Sequence, residues 1–554
     1  MTGHLSTLGA WVAGLRPDDI PADTLRAARY QVANMVAALH AAARLPDTQA
    51  VARAVIRSTG GTSTATAPAT AGRATATATA TASSATAAAS AGGATLLGTG
   101  QRTCPADAAQ ANAAYTMAQD FDDIVWMGHT CHSAVFAALA VAEHEARDTR
   151  ALLTAVVAAN EVAGRLGASS FLGPLNGQMW TFIHLIGAAA ATASLLGLDE
   201  TRTTHALAIA LAQPTFALQP AFLAPTSKLL SASVPTAIGI QAAYHAAEGM
   251  EGEPTLLEDR RGFWSRFSFH PMPGMLGELG RFWTLQTLSM KTFPGCHYFQ
   301  TACTALERLQ ARLGRLDPAR IRAIRLDTSK LGAEATRFGQ EYGRTTPRIG
   351  HVNVNFDLAT TAAVFLHAGR LTGAELDPAW LDAHTPAIAA LRDRATVVHD
   401  PALTMAVIGS ARALPTGRQA LDDLHARDLL ELRRRYRREY SSSLVSAAEA
   451  VGWVRALWNA RSSAAPPSAS GSAIPLRFPN RVTLEFTDGH SDSERVDLPV
   501  ASFCLPAAEA ELRAKFTREV GANLGPERAH TAFADTLALE SQPLAAWVAS
   551  VSLA

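Results

Sequence analysis

Three carboxylates and two imidazoles fall within thirteen positions of this chain: Asp120-Phe121-Asp122-Asp123, then His129 and His132. A carboxylate beside an imidazole is an arrangement that moves protons near neutral pH. The flanking stretches, Ala108 to Ala118 and Ala134 to Glu143, are rich in Ala and Val and helical in pattern. The cluster therefore falls at a break between two apolar helices, where charge is costly unless it is paired or used. The competing reading is a solvated loop whose first aspartate caps a helix. His129 and His132, three apart, have the spacing of a metal pair, but no third ligand is evident, so no metal is expected. No HExxH, zinc-spaced Cys/His cluster, phosphate-binding loop or strand-linked GxGxxG occurs, and no organic cofactor is expected.

Lysine is scarce. It occurs at Lys228, Lys291, Lys330 and Lys515, while arginine is used freely elsewhere. Lys228 and Lys291 sit in predominantly apolar segments, where a buried ammonium must find an anion; a snorkelling surface lysine is the commoner fate.

The elements that must position these groups are mostly helical. Residues 20–57 carry an amphipathic pattern (Leu25, Ala28, Val32, Met35, Val36, Leu39), and residues 105–284 are almost continuously helical in pattern. A Thr/Ala/Ser/Gly tract, 60–93, lacks large apolar residues and is expected to be a flexible surface insertion ahead of a short strand at 94–98. Beyond Lys291 the pattern changes. Arg320 to Asp327 alternates as a half-buried strand does, a helix is expected over Val352 to Leu366, and Asp488-Gly489 marks a hairpin between 481–487 and 494–498. The basic run Arg433 to Arg438 reads as a solvated helix face, and helices return over Pro506 to Val551.

The 554 residues suffice for two or more domains and a large core. Hydrophobic residues make up 48% and charged residues 17%, at zero formal net charge, which speaks against a nucleic-acid binder. Five cysteines without a CxxC pair, together with no signal-like N-terminus and no apolar stretch suited to a membrane span, lead to the expectation of a cytoplasmic protein.

Several segments resemble, in order, the motifs of the MmgE/PrpD family, which includes 2-methylcitrate dehydratase, cis-aconitate decarboxylase and iminodisuccinate epimerase. Asn112 through Asp123 is similar to N-G-x-x-x-H-x-x-D-F-D-D, and Glu161 to Arg165 to E-V-x-x-R. Gly187 through Asp199, Gly249 through Phe263, and Met290 to His297 resemble G-A-A-A-A…L-L-G-L-D, G-F-x-G…L-E…G-F and V-K-x-Y-P-x-C-H. The resemblance implies a mainly α fold with an α+β part: a large all-α helical domain built from both chain ends (1–284 and 501–554) and a smaller inserted α+β lid domain (285–500, with an insertion at 411–473). It also implies an active site in the cleft between them and a homodimer.

The family's chemistry removes a proton or CO2 beside a carboxyl group, and the resulting negative charge must be stabilised without a cofactor. Matched residue by residue, the resemblance makes His129 the general base or acid, with His132 as a rival for that role. Asp120 orients the histidine, and Lys228 and Lys291 bind the substrate carboxylate. The departures matter equally. Gln178 stands where the family has one histidine and Ser231 where it has another, Phe356 takes the place of a lid tyrosine, and His184 is a candidate replacement proton shuttle. His297 belongs to the same substrate-binding group. The expected function is a cofactor-free lyase that performs β-elimination on a small carboxylate with an altered, more apolar pocket. Decarboxylation or isomerisation on the same scaffold, and an inactive small-acid-binding or protein-interaction member, are the alternatives.

Overall fold

The computed structural model describes residues 3–59, 93–126, 128–173, 181–223, 225–343, 349–412, 414–416, 424–440 and 473–553. Gln178, nearly all of the 60–93 tract and much of the 411–473 stretch lie outside the described residues. The fold is mainly α with an α+β part.

Alanine shapes the helical body. It has the highest helix propensity and leaves little bulk where helices cross. The helices that frame the site are α1 (Ala22–Ala42), α2 (Pro105–Ala118), α3 (Cys131–His144), α4 (Thr149–Ser169), α5 (Thr181–Leu196) and α6 (Leu230–Ala247). α5 packs against α3, α4 and α6. A Cβ at Gly239 would come within 2.2 Å of the Leu185 carbonyl oxygen, and one at Gly187 within 3.1 Å of Ala163 Cβ. The small residues of the Ala-rich motif therefore set backbone-to-backbone spacing at the centre of this body. By length and composition α4 could cross a membrane, but it is buried inside the protein and carries the Glu161–Arg165 ion pair at 2.8 Å.

Two expectations are corrected. The amphipathic stretch 20–57 forms two helices, Ala22–Ala42 and Pro46–Ser58, because Pro46 cannot continue the first and disfavours helix at Leu45. The helical pattern expected up to 284 stops at Ala247. The following chain is turns and short helices, crowded with Gly249, Gly252, Pro254, Gly262, Pro271, Pro273, Gly274, Gly277 and Gly280. The E-V-x-x-R motif fastens this irregular segment. Arg165 donates to the Gly277 and Phe282 carbonyls, and Glu161 accepts from Thr284 N and Oγ1.

Strands are short in the helical body. β1 (Ala94–Thr95) pairs with β2 (Arg102–Thr103), and β3 (Asp123–Ile124) pairs antiparallel with β4 (Ser289–Met290). The β3–β4 ladder sets Asp123 opposite Met290, which delivers Lys291 to the aspartate cluster. A separate four-stranded sheet has β5 (Ile321–Thr328) between β6 (Ala395–His399), parallel to it, and β7 (Asn480–Phe486), antiparallel; β8 (Ser491–Val496) completes it beside β7. The β7–β8 hairpin turns at Asp488-Gly489, with Gly489 at φ 87°, as the sequence predicts. Its second strand starts three residues earlier than expected, at Ser491.

Around this sheet lie α7 (Lys330–Gly343), α8 (His351–Phe356) and α9 (Leu358–Ala368). The single helix expected over 352–366 breaks at Asp357, whose carboxylate caps α9 by accepting from Ala359 N at 3.2 Å. The apolar core is correspondingly divided. One cluster draws on Leu5 to Met290 and on Ala501 to Val551, and another on Leu223 and on Phe293 to Val496. α10 (Ala508–Leu524) returns the chain's end to the first cluster and packs on α1.

Candidate active site

The three aspartates occupy the break between α2 and α3. Asp120 directly follows the Gln119 C-cap of α2 and adopts φ 53°, a left-handed conformation that aspartate tolerates at a cost of about 1 kcal/mol. His129 precedes α3 and His132 lies in its first turn. This is the buried break expected from the sequence; the solvated-loop reading fails because Asp120, Asp122 and Asp123 are all buried.

Asp122 is the hub of the cluster. One carboxylate oxygen accepts from His129 Nδ1 at 2.6 Å and lies 3.2 Å from His132 Nε2, and the other accepts from Lys291. Asp120 takes Lys228 at 2.9 Å and Lys291 at 3.3 Å. Lys228 also donates to the Met117 carbonyl and Lys291 to the Asp120 carbonyl. Burial works against ionising Asp122, but Lys291 and His129 outweigh it and hold the carboxyl well below its ordinary value. The same contest at Asp120, burial against Lys228 and Lys291, leaves its pKa at about 2. Burial likewise opposes the Lys291 charge, but Asp120 and Asp122 keep that ammonium above the ordinary lysine value.

This arrangement changes two assignments. Asp122, rather than Asp120, orients His129. Lys228 and Lys291 have no exposed surface and are spent on the two aspartates, so they brace the acid cluster from behind rather than reach into the cavity as substrate-carboxylate ligands.

A cavity of about 170 Å³ opens between the two cores. Its wall combines Asp120, His129, His132, His184, Ser231 and His297 with the apolar side chains of Phe222, Phe356, Leu331 and Phe338. Of the residues expected from sequence, then, Asp120, His129, His132, His184, Ser231, His297 and Phe356 share one cavity. Ser231 Oγ donates to the Lys228 carbonyl at 2.7 Å.

Burial holds His132, His184 and His297 below the ordinary histidine value. His132 Nδ1 is 2.7 Å from Thr116 Oγ1, and His184 Nδ1 is 3.3 Å from Ser133 Oγ. Among the described residues neither ring nitrogen of His297 has a hydrogen-bond partner, although the residue is 1% exposed. A neutral His297 suits hydrogen bonding to a ligand, whereas His132 is engaged by Thr116 and Asp122; the shuttle role expected of His184 is weakened by its burial.

Two residues outside the expected set complete the arrangement. Lys515, on α10, donates to Asn34 Oδ1, the Phe121 carbonyl and the Lys291 carbonyl at 2.7, 2.5 and 3.0 Å, joining the acid loop, the Lys291 strand and the chain's end. Its burial lowers its pKa to about 7. Asp123 is held by Gln31 and Asn34 of α1 and is raised to about 6 by burial and by Asp122. The sequence signal for Lys515 was a rare lysine in a helix that otherwise prefers arginine. Asp122, Cys131 and His132 also come within metal-binding reach of one another. The Asp122 oxygens are already taken by Lys291 and His129, and burial with Asp123 raises the Cys131 thiol well above its usual value, so the set fits a hydrogen-bonded cluster better than a metal centre.

The acid limb of stability follows from Asp120. Its pKa of about 2, against 3.8 unpaired, corresponds to roughly 2 kcal/mol that is complete above the unfolded value and disappears as pH falls toward the folded one. Lys228→Met removes the strongest opposing cation. Its urea midpoint is expected to drop less than the wild-type midpoint between about pH 5 and pH 3; equal drops would contradict the pairing.

Residues 71–274 match the MmgE/PrpD N-terminal domain and residues 293–423 the MmgE/PrpD C-terminal domain. The curated relatives include a cis-aconitate decarboxylase of Aspergillus terreus, 25% identical over 350 residues, which are 59% of this chain and 65% of the relative. A second, from Aspergillus terreus strain NIH 2624 / FGSC A1156, is 24% identical over 351 residues with the same coverage. The chain thus spans just under two thirds of the length of these relatives.

Proposed function

This chain belongs to the MmgE/PrpD family, and from that premise we propose that its cavity performs cofactor-free lyase chemistry, β-elimination on a small carboxylate. The observation that carries the reading is the His129–Asp122 contact of 2.6 Å at the wall of a largely apolar cavity. With Nδ1–H donated to Asp122, His129 presents Nε2 as the basic nitrogen. A proton α to the substrate carboxylate passes to Nε2, its electron pair forms the C=C bond, and the β C–O bond breaks. Asp122 stabilises the imidazolium that results, as a buried carboxylate does beside a catalytic histidine. The same imidazolium can return its proton to the departing oxygen, since burial keeps the other cavity histidines neutral. A hydrogen bond from His297 would hold the enediolate-like charge.

Decarboxylation is the second reading, favoured by the names of the curated relatives. The convergence of the histidines on one cavity supports an enzyme over an inert binding scaffold. The test is incubation of the purified protein with a panel of small hydroxy acids and their phosphate esters, followed by proton NMR and CO2 detection. The expected result is an olefinic product with release of water or phosphate. CO2 release with the oxygen substituent retained would replace elimination by decarboxylation.

A further inference from the structure

The cavity's charge inventory bears on what it accepts, given that the lyase reading places the substrate there. No lysine or arginine side chain lines the cavity among the described residues. Two ammonium groups buried behind the wall are matched by two carboxylates, Lys228 and Lys291 against Asp120 and Asp122. Phe222 and Phe356, both in the wall, face Lys228 Nζ at 5.8 and 5.1 Å and cover it. On α7 Glu334 lines the cavity; it pairs with Lys330 at 3.3 Å and Arg337 at 2.8 Å, and Arg337 pairs in turn with Glu341 at 3.4 Å, so two carboxylates match two cations. The wall therefore carries no surplus positive charge, and its exposed lining is mostly carbon.

A tricarboxylate entering this space would strip water from three anionic groups and find no cation to compensate, a cost that grows with each unpaired charge. One carboxylate can be met. His297 lines the wall, buried, with neither ring nitrogen engaged among the described residues, and can donate a ring N–H to it. The apolar part of the wall, with Phe222, Phe338, Phe356 and Leu331, matches a hydrocarbon body. From this arrangement we infer that the substrate is a carboxylic acid bearing a single carboxylate at the reacting end and an apolar, ring-sized body, not a citrate-like polyacid.

The test is isothermal titration of the full-length protein with 3-phenylpropanoate, citrate and cis-aconitate. 3-Phenylpropanoate is expected to bind at least about tenfold more tightly than either polyacid. Leu331→Arg and Phe338→Arg, at half-buried positions of α7, place a cation in the apolar wall. Either is expected to weaken the aryl acid and strengthen citrate, each by about tenfold, with an unchanged circular dichroism spectrum. Citrate or cis-aconitate binding the wild type as tightly as the aryl acid would overturn the inference. So would absence of aryl-acid binding at about 10 mM, or aryl-acid binding unmoved by both variants. The lyase reading is judged separately. A polyacid turned over in a His129-dependent reaction would sink this inference and keep that reading; aryl-acid binding with no hydroxy acid turned over would do the reverse.

Discussion

His129→Ala is expected to lower kcat/KM by ~10²–10⁴ while leaving the melting curve close to wild type. His129 is the partly exposed member of the cluster, with a side chain 20% accessible against 0% for Asp122. Removing it takes away the base and little packing. Asp122 keeps Lys291 and His132 as partners in its absence, so the buried carboxylate is not abandoned. The check is steady-state turnover of the acid identified by elimination, with added imidazole expected to restore part of the rate. Near-normal kcat/KM in this variant, with His132→Ala inactive, would transfer the base to His132, the rival that the spacing alone leaves open.

Lys291→Met is expected to cost about 3–5 kcal/mol of stability, far more than His129→Ala. Lys291 has no exposed surface and lies between Asp120 and Asp122. Without it, Asp120 keeps Lys228 while Asp122 is left with its histidine partners alone, and a buried charge without its partner carries its full desolvation cost. Simultaneous Asp122→Asn is expected to recover a substantial part of the stability and none of the activity, because the amide cannot stabilise a charged His129. Urea unfolding of the single and double variants measures both effects. A Lys291→Met protein as stable as wild type would mean that the ammonium is not needed to balance the aspartates. The lysine motif therefore reads as structural support for the acid–base pair, although its position in the chain suggested a direct hold on substrate.

Much of this site was legible because its chemistry is local. Asp120, Asp122, His129 and His132 lie within one helix break, and the apolar flanks declare that break buried. What each group does was less legible, because it depends on partners far along the chain. Lys291 meets Asp120 across 171 residues and Lys515 meets Phe121 across 394. Nothing in the spacing of Asp120 and Asp122 tells which of them faces the histidine; the left-handed turn at Asp120 decides it. In the fold, the alternating strand and the Asp-Gly hairpin were readable because period-two patterning and turn chemistry are short-range signals. The overextended helical pattern up to residue 284 came from weighing apolar content above the Gly and Pro residues that interrupt it after Ala247. The wall contributed by Glu334 and Phe338 had no motif at all, since an aromatic at helical spacing looks the same whether it faces a core or a cavity.

The central claim is that His129, held by Asp122, exchanges a proton with the carbon beside a bound carboxylate. Incubating the turned-over acid, or its olefinic product, with the protein in D2O and following the α-position by NMR tests it most directly. Wild type is expected to introduce deuterium at that carbon, and His129→Ala to slow the exchange by ~10²-fold or more. Exchange that proceeds equally well without His129, or turnover in which the α-hydrogen is never exchanged or lost, would contradict the account.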